Sequence, residues 1–287
     1  MMNYVKTILS VHAHPDDEAS KGASIIAKYK ALGTRAVLVT ATGGEEGDIL
    51  NKVLDNEETR NNLAEIRRNE LHASARIIGY DRVELLGYRD SGMAGSPSNY
   101  RPGCFAMADC EIAARKLVEI IRAEKPAVML TYPEIQSRYP HPDHVRVYEV
   151  SMRAYVLAKD ESFAPELGPV HTIEKIYYHI WTRSRIIALH QKFIDLGLKS
   201  PFSPDWFETA TEDYEATTQI PIVGFSEIKN SALRAHATQI DPESPFWFGL
   251  SNDDAEDAYP TEDLYLAVAP KGYVISGIEE DLFAGLE

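Results

Sequence analysis

The chain has 287 residues, 44% of them hydrophobic, which is enough to bury a substantial core in one large domain or in one domain with an appendage. A formal net charge of −15 sets it against phosphate backbones and anionic lipid, so neither nucleic acid nor a membrane is an expected partner. Two cysteines, Cys104 and Cys110, are too few for a disulfide framework and lack the paired spacing of a structural zinc site; with no leader-like N-terminus and no apolar run of about 18 residues, a reducing, cytoplasmic setting is expected.

Residues 7–11 form a short, β-rich apolar run that reads as a buried parallel strand. It leads straight into Val11-His12-Ala13-His14-Pro15-Asp16-Asp17-Glu18, where imidazoles and carboxylates crowd around a proline. Residues 21–32 carry helical spacing through Ile25, Ile26, Tyr29 and Leu32, closed by Gly33. A second strand is predicted over 36–40, running into the polar glycine loop 42–48. A long charged helix follows over 57–78, stopped by Gly79, then a third strand over 83–86 and a loop over 87–102 punctuated by glycine, proline and serine. A helix over 109–124 and a fourth strand over 127–131 lead to Tyr139-Pro140-His141-Pro142-Asp143-His144. Beyond it, helices are expected over 145–158, 185–196 and 227–237, strands over 174–181 and 217–223, and an aromatic, proline-rich stretch over 242–247.

The strand and helix alternation of the first half predicts an α/β fold with a doubly wound, mostly parallel Rossmann-like sheet over residues 1–165. Residues 166–287 are expected to form a smaller α+β subdomain capping the site. Sheets of this type bind ligands at the carboxyl ends of their strands. Both His/Asp clusters follow predicted strand ends, so two segments more than a hundred residues apart share one rim.

Together the clusters hold four of the nine histidines. Stacked carboxylates at a strand end are electrostatically costly without a cation. A catalytic zinc takes three nitrogen or oxygen ligands at about 2 Å and keeps a position for water. His14, Asp17 and His144 can supply that set, and Fe2+ fits the same donors as Zn2+. Asp16 is then adjacent and free to act as a general base. His141 and Asp143 flank His144 and suit orienting it or stabilising an oxyanion, with Tyr139 a further donor. His12, still within the apolar strand, is expected to be a core histidine rather than a ligand. Asp16 or Asp17 could instead cap the next helix. Arg67 and Glu70, one helical turn apart, could hold substrate hydroxyls or form a surface ion pair. Asp90 could be a substrate ligand or a turn residue. Lys21, at a helix start, opposes the helix dipole, which points either to a role in binding or to no more than a solvated side chain. Gly43-Gly44 with Glu45-Glu46 is too acidic to cradle phosphate.

Ala13-His14-Pro15-Asp16-Asp17-Glu18 with His141-Pro142-Asp143-His144 resembles the zinc-dependent N-deacetylases of the PIG-L/LmbE type. The similarity continues through Thr42-Gly43-Gly44-Glu45-Glu46-Gly47-Asp48-Ile49-Leu50-Asn51, Arg234-Ala235-His236-Ala237-Thr238-Gln239-Ile240-Asp241-Pro242 and Asp281-Leu282-Phe283-Ala284-Gly285. The resemblance implies Zn2+ on His14, Asp17 and His144, and Asp16 as general base. It makes His141, assisted by Tyr139, the group that stabilises or protonates the tetrahedral intermediate, tuned by Asp143. It implies that Arg67 and Asp90 meet the glucosamine ring, that Lys21 binds substrate, and that His236 and Gln239 are substrate contacts or their support. The expected substrate is a small thiol-conjugated amino sugar, cleaved at its cysteinyl-glucosamine amide. Two alternatives stand beside this: deacetylation of N-acetylglucosaminyl-inositol, and a catalytically silent sugar-binding protein on the same fold.

Branch markers within the family divide. Ser20-Lys21-Gly22-Ala23 and Pro102-Gly103-Cys104-Phe105 resemble the amidase branch, and Arg89-Asp90-Ser91-Gly92-Met93-Ala94-Gly95 the deacetylase branch. Where the family has a Gly-Gly-rich loop before its Tyr-Pro-His, this chain has Pro133-Glu134-Ile135-Gln136-Ser137-Arg138, one residue longer, a change that bears on the aglycone or thiol conjugate accepted.

Overall fold

The computed structural model describes residues 6–137, 139–203, 205–208 and 214–286, so Arg138 of the loop before Tyr139 lies outside the described residues. Its centre is the apolar run at the N-terminus. Strand β1 (Thr7–His12) is buried along its whole length. Its side chains alternate, Ile8 entering one core and Leu9 and Val11 the other. Strand β2 (Arg35–Thr42) repeats the pattern with Leu38 against Val37 and Val39. Strands apolar on both faces are stable only with helices on both sides, which places them at the middle of an α/β sheet.

Strands β3 (Arg82–Tyr88), β4 (Val128–Thr131), β5 (Lys175–His179), β6 (Thr218–Pro221) and β7 (Thr261–Val268) complete a seven-stranded sheet in the order β3-β2-β1-β4-β5-β7-β6. The first five strands run parallel, and β7 pairs antiparallel with β5 and β6. In chain order the helices are α1 (Asp17–Ser20), α2 (Ala23–Ala31), α3 (Glu57–Asn61), α4 (Leu63–Ile78), α5 (Cys110–Glu124), α6 (Pro142–Ala158), α7 (Arg183–Asp195), α8 (Asp205–Glu208), α9 (Ser226–Ala235), α10 (Pro245–Phe248) and α11 (Asn252–Ala258). Ile25, Leu71 and Leu233 from α2, α4 and α9 pack on the Ile8 face, while Leu117 and Val150 from α5 and α6 pack on the Leu9 face. This is the doubly wound α/β architecture that the alternation predicts. No helix among the described residues is long and apolar enough to cross a membrane.

Several boundaries differ from the sequence reading, each for a local reason. The helix expected over 57–78 is broken at Asn62, and α3 has its own cap, Asn56 Oδ1 accepting from Thr59 N at 2.9 Å. The helix expected from residue 145 begins at Pro142, whose fixed φ suits a first turn, with His141 as N-cap. The second cluster therefore lies on a helix N-terminus. Lys21 does not open a helix; it caps the end of α1, so the dipole argument for its special role falls away. Strand β7 has no counterpart in the reading, because Glu262 and Asp263 interrupt its apolar character. Both are buried, Glu262 3.3 Å from Lys229 Nζ and Asp263 accepting from Thr182, Gln219 and Tyr259. Because β5, β7 and β6 extend the first sheet, the boundary expected near residue 165 falls within one continuous sheet.

The strand order sets the position of the site. The chain leaving β1 pairs next on one side, in β2, whereas β4 lies on the other. Their carboxyl ends border the crevice that opens at such a switch point. Helix α5, which lines the Leu9 core, starts at Asp109, whose Oδ1 accepts from Glu111 N at 2.8 Å and Ile112 N at 3.1 Å. Asp109→Ala is expected to lower stability by about 1 kcal/mol in urea denaturation and to leave turnover unchanged.

Candidate active site

After His12 the chain turns sharply through Pro15, and Asp16 takes φ 108°, left-handed backbone that a residue with a Cβ rarely adopts. Asp17 Oδ2 closes the turn by accepting from His14 N at 2.9 Å. The same oxygen lies 3.4 Å from His14 Nδ1 and 3.4 Å from His144 Nε2, which arrives on the first turn of α6. Ligand atoms on tetrahedral bonds of about 2 Å stand about 3.3 Å apart, so these spacings suit a zinc-sized ion. His14 Nε2 lies 3.1 Å from Asp143 Oδ2, and that carboxylate also accepts from Ser91 N at 2.9 Å and from Ser91 Oγ. A carboxylate on one imidazole nitrogen frees the other for a metal.

A second grouping overlaps the first. Nitrogens of His14, His141 and His144 come within 4.8 Å of one another, as do donor atoms of His14, Asp90, His141 and Asp143. Asp90 already accepts from Gly92 N at 2.8 Å and Glu46 N at 3.2 Å. Asp143 is fully buried and does not line the cleft. His14, Asp17, His141 and His144 all face the cleft.

The cleft measures about 380 Å³, and Asp16, Lys21, Arg67, Asp90, Tyr139, His141 and Gln239 also line it. Lys21 Nζ sits 2.7 Å from Asp17 Oδ1. Arg67 is 2% exposed, donating to Pro15 O at 2.8 Å and to Gly44 O, with Asp16 Oδ2 at 3.3 Å. It is no surface ion pair: Glu70 turns instead to Thr238, accepting from its N at 2.8 Å and its Oγ1 at 2.7 Å. Gly44 and Gly47 leave room for the guanidinium, since a Cβ on either would collide with it. The glycine loop therefore makes space for Arg67.

Three site residues are placed otherwise than read. Asp143 reaches His14; His144 is backed by the ring of Tyr132, with centroids 4.3 Å apart. Tyr139 is at the mouth of the cleft, its hydroxyl directed to Met93 Sδ at 3.4 Å. His236, expected among the substrate contacts, is fully buried and does not reach the cleft; its Nε2 lies 2.6 Å from Glu18 Oε1. His12 is a core residue, 2.9 Å from Ser10 Oγ and stacked on His179. Glu46, Leu50, Met93 and Trp247 also line the cleft and were not singled out from sequence. The motif Thr42-Gly43-Gly44-Glu45-Glu46-Gly47 held a signal for the first of these, but nothing local distinguished Trp247 within its aromatic stretch.

A family model described as PIG-L, GlcNAc-PI de-N-acetylase, matches residues 9–155. The chain belongs to this family. Over 289 residues it is 41% identical to the mycothiol S-conjugate amidase of Streptomyces coelicolor, covering 97% of each chain. Over 294 residues it is 37% identical to the 1D-myo-inositol 2-acetamido-2-deoxy-alpha-D-glucopyranoside deacetylase of Streptomyces avermitilis, covering 98% of this chain and 97% of that one. Its fold matches the N,N'-diacetylchitobiose deacetylase of Pyrococcus horikoshii with a TM-score of 0.64 at 19% identity, over 93% of this chain and 88% of that one. The family and these relatives make the chain a hydrolase, and its His/Asp group is one that can bind a metal.

The charges of this PIG-L site are strongly coupled. Burial raises the pKa of Asp17, but Lys21, His144 and His14 outweigh it and hold the carboxyl well below its usual range. Burial opposes charge on His14, yet hydrogen bonds with Asp143, Asp17 and Asp90 raise its pKa well above 6.5. The carboxylates draw a proton onto His14 that an entering cation would displace. Burial lowers His144 to about 4, and burial with the charge of His14 lowers His141 to about 4, so both rings are neutral near pH 7.

Asp16 is raised above 3.8, chiefly by burial, which Arg67 offsets only incompletely. Its folded state thus binds a proton more tightly than the unfolded chain. The ionised carboxyl costs stability above the folded pKa, and the cost disappears below 3.8. Asp16→Asn should therefore raise the Tm of chelator-treated protein at pH 7, with the gain vanishing in acid; a lower Tm at pH 7 would contradict the assignment.

Proposed function

We propose that this hydrolase cleaves the cysteinyl-glucosamine amide of mycothiol S-conjugates, releasing a mercapturic acid and glucosaminyl-inositol. One observation carries the choice of substrate. The charged floor of the cleft is bordered by apolar side chains open to solvent: Leu50, Met93 and Tyr139 are each about half exposed, and Trp247 adds a further stretch of wall. Exposed apolar groups gathered at a cleft mark a binding surface. A thiol adduct with an apolar substituent can cover that surface, whereas an acetyl group offers a single methyl.

His14, Asp17 and His144 would hold Zn2+, or Fe2+ in the same donors. When bound, such a cation supplies Lewis-acid chemistry, acidifying water and polarising the amide carbonyl. Asp16, facing the cleft beside Arg67, accepts the proton of the attacking water, and that proton is then available to the departing sugar amine. His141 Nδ1 accepts from Asp143 N at 3.2 Å, which leaves the proton on Nε2. The ring can therefore donate to a developing oxyanion. The Arg67 guanidinium is engaged by Pro15, Gly44 and Asp16, so its role is to brace the base. Lys21, Asp90 and Gln239 provide polar wall for the sugar hydroxyls.

The test is a side-by-side assay of metal-replete enzyme on a mycothiol S-conjugate and on N-acetylglucosaminyl-inositol. The expected outcome is a higher kcat/KM for the conjugate. The reverse ranking makes the chain the deacetylase, and turnover of neither leaves a sugar-binding protein. In the same assay Asp16→Ala should lose about 10²–10⁴-fold in kcat while retaining bound metal, and His144→Ala should lose the metal itself, read as zinc per chain.

A further inference from the structure

Glu18 follows the two aspartates of the first cluster, yet it does not line the cleft. It is fully buried, and each of its oxygens is occupied. Oε2 accepts from Asp16 N at 3.0 Å. Oε1 accepts from Ser74 Oγ of α4 at 2.5 Å and lies 2.6 Å from His236 Nε2 at the end of α9. His236 is itself fully buried, and its Nδ1 has no hydrogen-bond partner among the described residues. One ring nitrogen of His236 therefore serves the Glu18 carboxylate and the other serves nothing among the described residues, so the imidazole is there for Glu18.

The object of this network is the backbone of Asp16. At φ 108° it stays in place only if its surroundings over-determine it. Arg67 grips the carbonyl on one side, Pro15 O, and Glu18 grips the amide of Asp16. We propose that Glu18 and His236 are positioning residues: His236 orients the Glu18 carboxylate, which holds the left-handed turn that aims Asp16 into the cleft. The turn after His236 serves the cleft as well, since Thr238 is clasped by Glu70 of α4 while Gln239 and Ile240 line the wall. One segment, 218 residues from Glu18, thus braces the base and shapes the substrate wall. The inference rests on the reading of Asp16 as general base.

The test compares His236→Leu, which removes the donor, with His236→Gln, which restores one. His236→Leu should lower kcat by about 10²-fold, the scale expected of a misplaced catalytic group, with KM and zinc affinity in a chelator competition unchanged. His236→Gln should recover most of the loss. On chelator-treated protein, hydrogen exchange at the Asp16 amide should be faster in His236→Leu than in wild type or His236→Gln. Turnover of His236→Leu within about twofold of wild type, or equal losses in both variants with Asp16 exchange unchanged, would overturn the proposal. If His236→Leu does not fold, Ser74→Ala removes the other side-chain donor to Glu18 and is read by the same exchange and kcat measurements. Asp16→Asn is the control: activity in that variant would sink the base assignment, whereas its loss beside a fully active His236→Leu sinks only the positioning role.

Discussion

The structure around the cleft is governed by one constraint: the carboxylates of Asp17, Glu18 and Asp143 are taken out of water close to where β1 ends. Burying an unpaired carboxylate costs far more than a domain can tolerate, so each must meet a donor or a cation. Asp17 meets Lys21 and two imidazoles, Asp143 meets His14 and Ser91, Glu18 meets Ser74 and His236, and Asp16 meets Arg67. These partners come from the turn after β1, the end of α1, the loop after β3, helices α4 and α6 and the end of α9, so satisfying the acids also ties those segments together around the cleft. Asp17 is the meeting point, with Lys21 on one oxygen and the imidazoles of His14 and His144 on the other.

The fold makes this arrangement possible by placing the site where two strands end and a helix begins. The carboxyl ends of β1 and β4 diverge at the switch point and leave a crevice. Helix α6 begins there, with Asp143 in its first turn and His141 as its N-cap, where the helix dipole favours a negative group. The same two residues stabilise a helix start, and Asp143 also meets His14.

Floor and mouth of the cleft differ in character. The floor is polar and tightly bonded, with few groups left to rearrange. The mouth is built from Leu50, Met93, Tyr139 and Trp247, side chains that make few polar contacts and can adapt to different partners. Under the proposed function, chemistry would fall to the bonded floor and the choice of conjugate to the exposed apolar surface. This separation is consistent with relatives that share the fold and bear the names of different amide hydrolases.

The local sequence determined the parallel strands, the placement of both His/Asp clusters at strand ends, and the core fate of His12. Those features follow from short-range periodicity and from residue chemistry that spacing alone expresses. The strand β7 was hidden because its buried acids, Glu262 and Asp263, look like solvent-exposed residues until Lys229 and Tyr259 are brought beside them. Arg67 looked like a surface charge because nothing in its helix shows that Gly44 and Gly47 will leave it a berth. His236, Asp143 and Trp247 acquired their places only when distant segments met. Which acid answers which cation is a pairwise question across the fold, and no single stretch of chain contains both halves of the answer.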